Sequence, residues 1–130
     1  MYLVDSNVFL EELLEQEKAS AVNFFFESTN TDQVSITDFS LHSICIVLLS
    51  LKKNNVFLSF INDLILNETN VLSLNVFEIL NLKPIIDEFN LDFDDAYQYL
   101  IAKKHNLQLI SFDKDFDKTD LKRKEPADVI

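Results

Sequence analysis

Residues 91–117 read LDFDDAYQYLIAKKHNLQLISFDKDFD, and their order decides the architecture. Asp92 to His105 carries the apolar spacing of a helix. Acid crowds its first turn and His105 stands at its end, where the helix macrodipole favours a cation. Gln108 to Ser111 follows as a short apolar strand that runs into Phe112 and Asp113.

The same strand-then-acid pattern opens the chain. Tyr2 to Val4 predicts a buried strand with Asp5 at its tip, and Ser6 or Asn7 caps a helix through about Glu17. A second helix covers Ala19 to Glu27, and Gln33 to Ile36 predicts a second strand. Thr37 or Asp38 then caps a long apolar helix from Phe39 to about Lys52. Val56 to Leu66 predicts another helix, Val71 to Leu74 a third strand, and two short helices split near Pro84 follow. Short apolar strands alternating with helices imply an α/β fold whose mainly parallel sheet is covered on both faces. The chain contains no glycine, so positive φ angles are expected at Asn54, Asn55, Asn67, Asn70, Asn81, Asn90 and Asn106.

At 130 residues and 48% hydrophobic, the chain predicts one domain spanning 1–130. Its longest apolar stretch, Ile44 to Leu51, falls far short of the ~20 residues that cross a bilayer. Glu11 and Glu12 stand where a secretory signal needs basic residues. A single cysteine, Cys45, excludes a disulfide framework. Together these predict a cytoplasmic location. Eleven basic against 22 acidic residues give a net charge of −11, which excludes broad electrostatic adhesion to nucleic acid or membrane. Local basic patches remain, at Lys52 and Lys53, Lys103 and Lys104, and Lys118 to Lys124.

In an open parallel sheet, ligands gather beyond the carboxyl ends of strands. Asp5 and Asp113 are expected there, with Asp38 at the helix start after strand two and Asp94 and Asp95 in the first turn of the helix feeding strand four. Each alone is an ordinary helix-start or turn residue. Carboxylates about 4 Å apart repel by ~1 kcal/mol per pair in water and by more in a dry cleft, so their convergence calls for a neutralising cation. An all-oxygen donor set points to Mg²⁺ or Mn²⁺ rather than zinc, and such an ion supports phosphodiester hydrolysis.

The stretches MYLVDSNVFLE, SITDFSLHSI and LDFDDAYQYLIAKKHNLQLISFDKDFD together resemble the PIN-domain ribonuclease family, including VapC-type toxins, from residue 2 to about 117. The resemblance implies a three-layer α/β/α PIN-like fold, divalent-metal-dependent RNA cleavage leaving a 5′-phosphate, frequent homodimers and, in toxin members, an antitoxin partner. It assigns catalytic roles to Asp5, Asp38, Asp95 and Asp113, with Asp5, Asp95 and Asp113 as direct metal ligands. Asp38 departs from the family's usual glutamate and is expected to bind through water. Ser6, Asn7 and Ser111 occupy small polar positions that orient carboxylates, with Asp94 and Asp115 as supporting acids.

A haloacid-dehalogenase-type phosphatase needs a second aspartate where Asn7 stands, and a receiver needs an acid at the end of strand three, where Ser73 and Leu74 stand. A catalytically degenerate PIN domain that binds RNA or protein without cutting remains the alternative. His42, four residues beyond Asp38, reads as a packing residue rather than a ligand. Phe9, Phe24, Phe25 and Phe26 exceed what one inward helix face holds, so some are expected to line a dimer or antitoxin groove.

Overall fold

The computed structural model describes residues 1–129. Four strands, β1 (Tyr2–Val4), β2 (Val34–Thr37), β3 (Asn70–Leu72) and β4 (Gln108–Ile110), form one sheet in the order β3-β2-β1-β4. Every pairing is parallel, with Leu3 opposite both Ser35 and Leu109. Among the described residues, seven α-helices fill the connections: α1 (Ser6–Leu13), α2 (Ala19–Ser28), α3 (Asp38–Ser50), α4 (Asn54–Leu66), α5 (Val76–Leu80), α6 (Leu82–Phe89) and α7 (Phe93–Lys104). None is long and apolar enough to cross a membrane.

Alternation along each strand builds the three layers. Val4 and Ile110 point into a core shared with α1 to α4, around Val8, Phe25, Ile44 and Leu48. Leu3 and Leu109 point the other way, against Leu82, Ala96, Tyr97 and Ile101 of α6 and α7. Leu3 and Val4 are both fully buried, and each such side chain contributes roughly 1.5 to 3 kcal/mol to folding.

The topology also fixes where a ligand can sit. From β1 the chain steps outward through β2 to β3, then returns to place β4 on the other side of β1. That reversal opens a crevice at the carboxyl ends of β1 and β4, the usual ligand position in open α/β sheets. Asp5 lies directly beyond the end of β1, and Asp113 follows the end of β4 after Ser111 and Phe112.

Several local expectations are corrected. The helix α1 stops at Leu13 rather than near Glu17, because Glu15 turns the chain at φ 53°. Asp5, not Ser6 or Asn7, caps it, with Oδ1 accepting from the Ser6 amide at 2.7 Å. The break between α5 and α6 falls at Asn81, and Pro84 sits inside the first turn of α6, where its missing N–H costs nothing. Positive φ occurs at Asn90 and Asn106 as expected, but also at Glu15, Lys52 and Glu68, while the other five asparagines are not among the positive-φ positions. Backbone hydrogen bonds that close these helix ends, such as Lys53 N to Leu48 O at 2.8 Å, hold the left-handed residues in place.

Candidate functional site

The crevice is built from three chain segments. β1 delivers Asp5, the first turn of α7 delivers Asp94 and Asp95, and the 3-10 turn after β4 (Lys114–Lys118) delivers Asp115, with Asp113 as its cap. One carboxylate oxygen each from Asp95, Asp113 and Asp115 lie within 4.8 Å of one another, and the same holds for Asp92, Asp94 and Asp95. Asp95 belongs to both groups and is only 7% exposed.

Asp5 adjoins this cluster through a polar relay. Ser111, fully buried at the end of β4, donates from Oγ to Asp5 Oδ2 at 2.7 Å. Ser111 Oγ itself accepts from Asn7 Nδ2 at 3.4 Å and from the Asp113 amide at 3.0 Å. Asn7 completes the loop by donating to Asp5 Oδ2 at 3.3 Å and accepting from the Phe112 amide at 3.2 Å. The small residues Ser6, Asn7 and Ser111 therefore fix the Asp5 carboxylate and the start of the Asp113 turn as one unit.

Electrostatics record the crowding. Burial first, then Asp113, Asp94, Asp5 and Asp115, push the Asp95 carboxyl up to about 7. Burial also raises Asp5; hydrogen bonds from Ser111 and the Ser6 amide lower it, and Asp113 raises it again. Repulsion among acids this close is relieved by protonation or by a cation. The oxygen-only donor set suits a hard divalent ion such as Mg²⁺ or Mn²⁺, and the residues that would hold it are Asp95, Asp113 and Asp115, with Asp5 alongside.

Asp38 stands apart from both groups. Its Oδ1 accepts from the Tyr97 hydroxyl at 2.8 Å and from the Phe39 amide at 2.8 Å. Tyr97 is itself fixed, since its hydroxyl oxygen accepts from the Leu74 amide at 2.9 Å. His42 is exposed on α3 and joins neither acidic group. Asp115, expected as a supporting acid, lies in the group with Asp95 and Asp113, and Asp92, absent from the expected site, lies in the group with Asp94 and Asp95. The spacing Asp92-x-x-Asp95 at a helix start could have signalled Asp92, since three-residue separation puts helix side chains on one face. Arg123, within the basic patch from Lys118 to Lys124, is 90% buried in its side chain, where it donates to the Ser111 carbonyl at 3.1 Å and pairs with Asp117 at 3.0 Å and Glu125 at 3.3 Å. It clamps the strand end that carries the polar relay.

The family model described as PIN domain matches residues 2–122. This chain belongs to the PIN-domain family. Among solved structures, the fold of this PIN domain matches the VapC20 toxin of Mycobacterium tuberculosis, described as cleaving the sarcin-ricin loop, at TM-score 0.81 and 13% identity over 97% of this chain and 100% of that one. It also matches a toxin-antitoxin complex from Klebsiella pneumoniae at TM-score 0.69 and 19% identity, covering 89% of this chain and 90% of that one. FitAcB from Neisseria gonorrhoeae matches at TM-score 0.72 and 18% identity over 97% and 98% of the two chains. At these identities the likeness concerns the three-layer fold. No curated protein sequence gives a significant match. The PIN domain places its acids at the crevice where β4 returns beside β1.

Proposed function

We propose that residues 1–130 form one PIN-like domain acting as a divalent-metal-dependent endoribonuclease, the toxin of a type II toxin–antitoxin pair. The observation that carries this reading is the triple of Asp95, Asp113 and Asp115 oxygens within 4.8 Å, next to Asp5. A bound Mg²⁺ or Mn²⁺ supplies positive charge for a phosphodiester and acidity for an attacking water. The chain's own part is to hold the acids still: Ser111 and Asn7 orient Asp5, and Asp113 caps the turn that presents Asp115.

A net charge of −11 leaves phosphate binding to that ion and to local lysines, so RNA affinity is expected to be weak and salt-sensitive. A cognate antitoxin and a homodimer belong to the same proposal, in a cytoplasmic setting. Support for self-association comes from α5, where Val76 and Phe77 are each 82% exposed. Of the phenylalanines expected at a groove, Phe9 and Phe25 are buried, Phe26 is half-buried and Phe24 is exposed.

The test is cleavage of a labelled RNA pool with Mg²⁺ or Mn²⁺, compared between wild type and Asp5→Asn. Metal-dependent cleavage that vanishes in the variant, with unchanged circular dichroism, is the expected result; full cleavage by Asp5→Asn would remove Asp5 from the site. The engagement of Asp38 by Tyr97 favours a second reading, a degenerate PIN domain that binds without cutting. That reading is distinguished by RNA binding without metal-dependent turnover.

A further inference from the structure

Beside the acidic crevice, a cavity of about 320 Å³ opens between α1, the turn that leads into α2, and Phe112. Its volume lies at the low end of the ~300 to 1,000 Å³ usual for small-molecule pockets. Leu10 and Leu14 supply its apolar side. The cavity joins the acidic site at two points. Asn7, which donates to Asp5 Oδ2 at 3.3 Å, is part of its wall. Phe112 stands between Ser111 and Asp113, and its amide donates to Asn7 Oδ1 at 3.2 Å. A group held here is therefore a direct neighbour of one that reacts beside Asp5.

One cation reaches this cavity. Lys18 Nζ lies 4.9 Å from the centroid of the Phe112 ring and 3.4 Å from Glu125 Oε1. Both partners are weak ones, since the Lys18 side chain is 53% exposed and contacts of this kind contribute little in water. The backbone beneath is fixed. After the left-handed turn at Glu15, φ 53°, the Lys18 amide donates to Glu11 Oε2 at 2.7 Å, which leaves the ammonium to turn on its flexible stem.

Charge narrows the occupant. Glu11 and Glu17 share the lining with Lys18, and two carboxylates against one ammonium disfavour an anion. A phosphate is better placed on the side of Asp5, and a neutral planar group in the cavity. Lys18 only donates and the two glutamates only accept, so the fitting group carries acceptors on one edge and donors on the next. Guanine has that pattern, with O6 and N7 accepting and N1–H and N2–H₂ donating. Adenine turns its N6 amine toward the lysine, donor against donor.

We propose that this cavity holds a guanine base of the RNA substrate next to the cleaved bond, with O6 and N7 on the Lys18 ammonium, the N1–H and N2–H₂ edge toward Glu11 and Glu17, and the ring plane against Phe112. The proposal rests on the nuclease reading for the source of the base, and guanine recognition is measured apart from cleavage.

The whole chain, ¹⁵N-labelled and free of metal, is titrated with guanosine 5′-monophosphate and with adenosine 5′-monophosphate, which carry equal charge, at constant ionic strength. The guanine nucleotide is expected to bind at least about fivefold more tightly, with amide shifts centred on Leu14, Lys18 and Phe112. Lys18→Gln is expected to bring the two within about twofold of each other. Phe112→Leu is expected to weaken both at least about threefold while keeping their ratio. Equal binding by the wild type, shifts centred on another surface, or an unchanged ratio in Lys18→Gln overturns the proposal. Cleavage is scored separately, with Mg²⁺ or Mn²⁺, on single-stranded RNAs carrying guanine, inosine or adenine beside the cut. Guanine and inosine are expected to exceed adenine at least about fivefold in kcat/KM, in the wild type and not in Lys18→Gln. Cleavage without this preference overturns the guanine cavity and leaves the nuclease reading standing. Discrimination between the nucleotides without any cleavage supports the guanine cavity and overturns the nuclease reading.

Discussion

The Ser111 hydroxyl donates to Asp5 Oδ2 at 2.7 Å across 106 positions of sequence, and so ties the end of β4 to the end of β1. Because the same oxygen accepts from the Asp113 amide, one buried atom sets the relative position of two acids. Ser111→Ala leaves an Asp5 oxygen and the Asp113 amide short of a partner. The expected loss is about 1 to 3 kcal/mol in urea unfolding, accompanied by reduced metal-dependent cleavage.

Asp95 makes stability depend on pH. Its carboxyl titrates at about 7 in the folded chain, against 3.8 for an ordinary aspartate. The native state therefore holds more protons between those values, so stability falls as pH rises from about 4 to about 7 and stays lower above that. Allowing for solvent screening, the penalty is roughly 1 to 2 kcal/mol. Asp95→Asn is expected to raise the melting temperature at pH 7.5 without metal and to flatten the wild-type slope between pH 4 and 7, measured by differential scanning calorimetry. A wild type and variant with parallel pH profiles would show that Asp95 is not crowded.

Lys52 adopts φ 58° and is exposed. A left-handed conformation costs a side-chain-bearing residue roughly 1 to 2 kcal/mol, and glycine avoids that cost while losing more backbone freedom on folding. Lys52→Gly is therefore expected to stabilise the chain by up to about 1 kcal/mol, read from thermal unfolding.

Arg123 acts on the site from behind. Removing it in Arg123→Ala frees the Ser111 carbonyl and leaves Asp117 and Glu125 without their shared cation. An unfolding free energy lower by about 1 to 3 kcal/mol is expected. Faster amide exchange at Phe112 and Asp113 should accompany it, because the strand end loses its clamp.

Much of this was legible in the chain. Hydrophobic runs bounded by acids located β1 and β4 within a residue, and the alternation of strands with helices gave the parallel sheet. Asp5, Asp95 and Asp113 were readable because a short strand or a helix start leaves the following acid only one edge to occupy. Other features depend on tertiary context. Tyr97 lies 59 positions from Asp38, so its claim on that carboxylate has no local signal. Arg123 sits in a run of charge whose composition reads as solvated tail, yet Lys124 bridges to Ile110 and draws it inward. Left-handed turns at Glu15, Lys52 and Glu68 were hidden because these residues carry no intrinsic preference for that conformation, and helix-closing hydrogen bonds impose it.

Whether the crowded Asp95, Asp113 and Asp115 share one cation is tested most directly by paramagnetic broadening. Substoichiometric Mn²⁺ added to ¹⁵N-labelled chain at pH 7.5 is expected to erase amide signals around Asp5, Asp95, Asp113 and Asp115, to leave those of α4 intact, and to lose this pattern in Asp95→Asn. Broadening spread over scattered surface acids, or an unchanged pattern in the variant, would contradict a shared metal site.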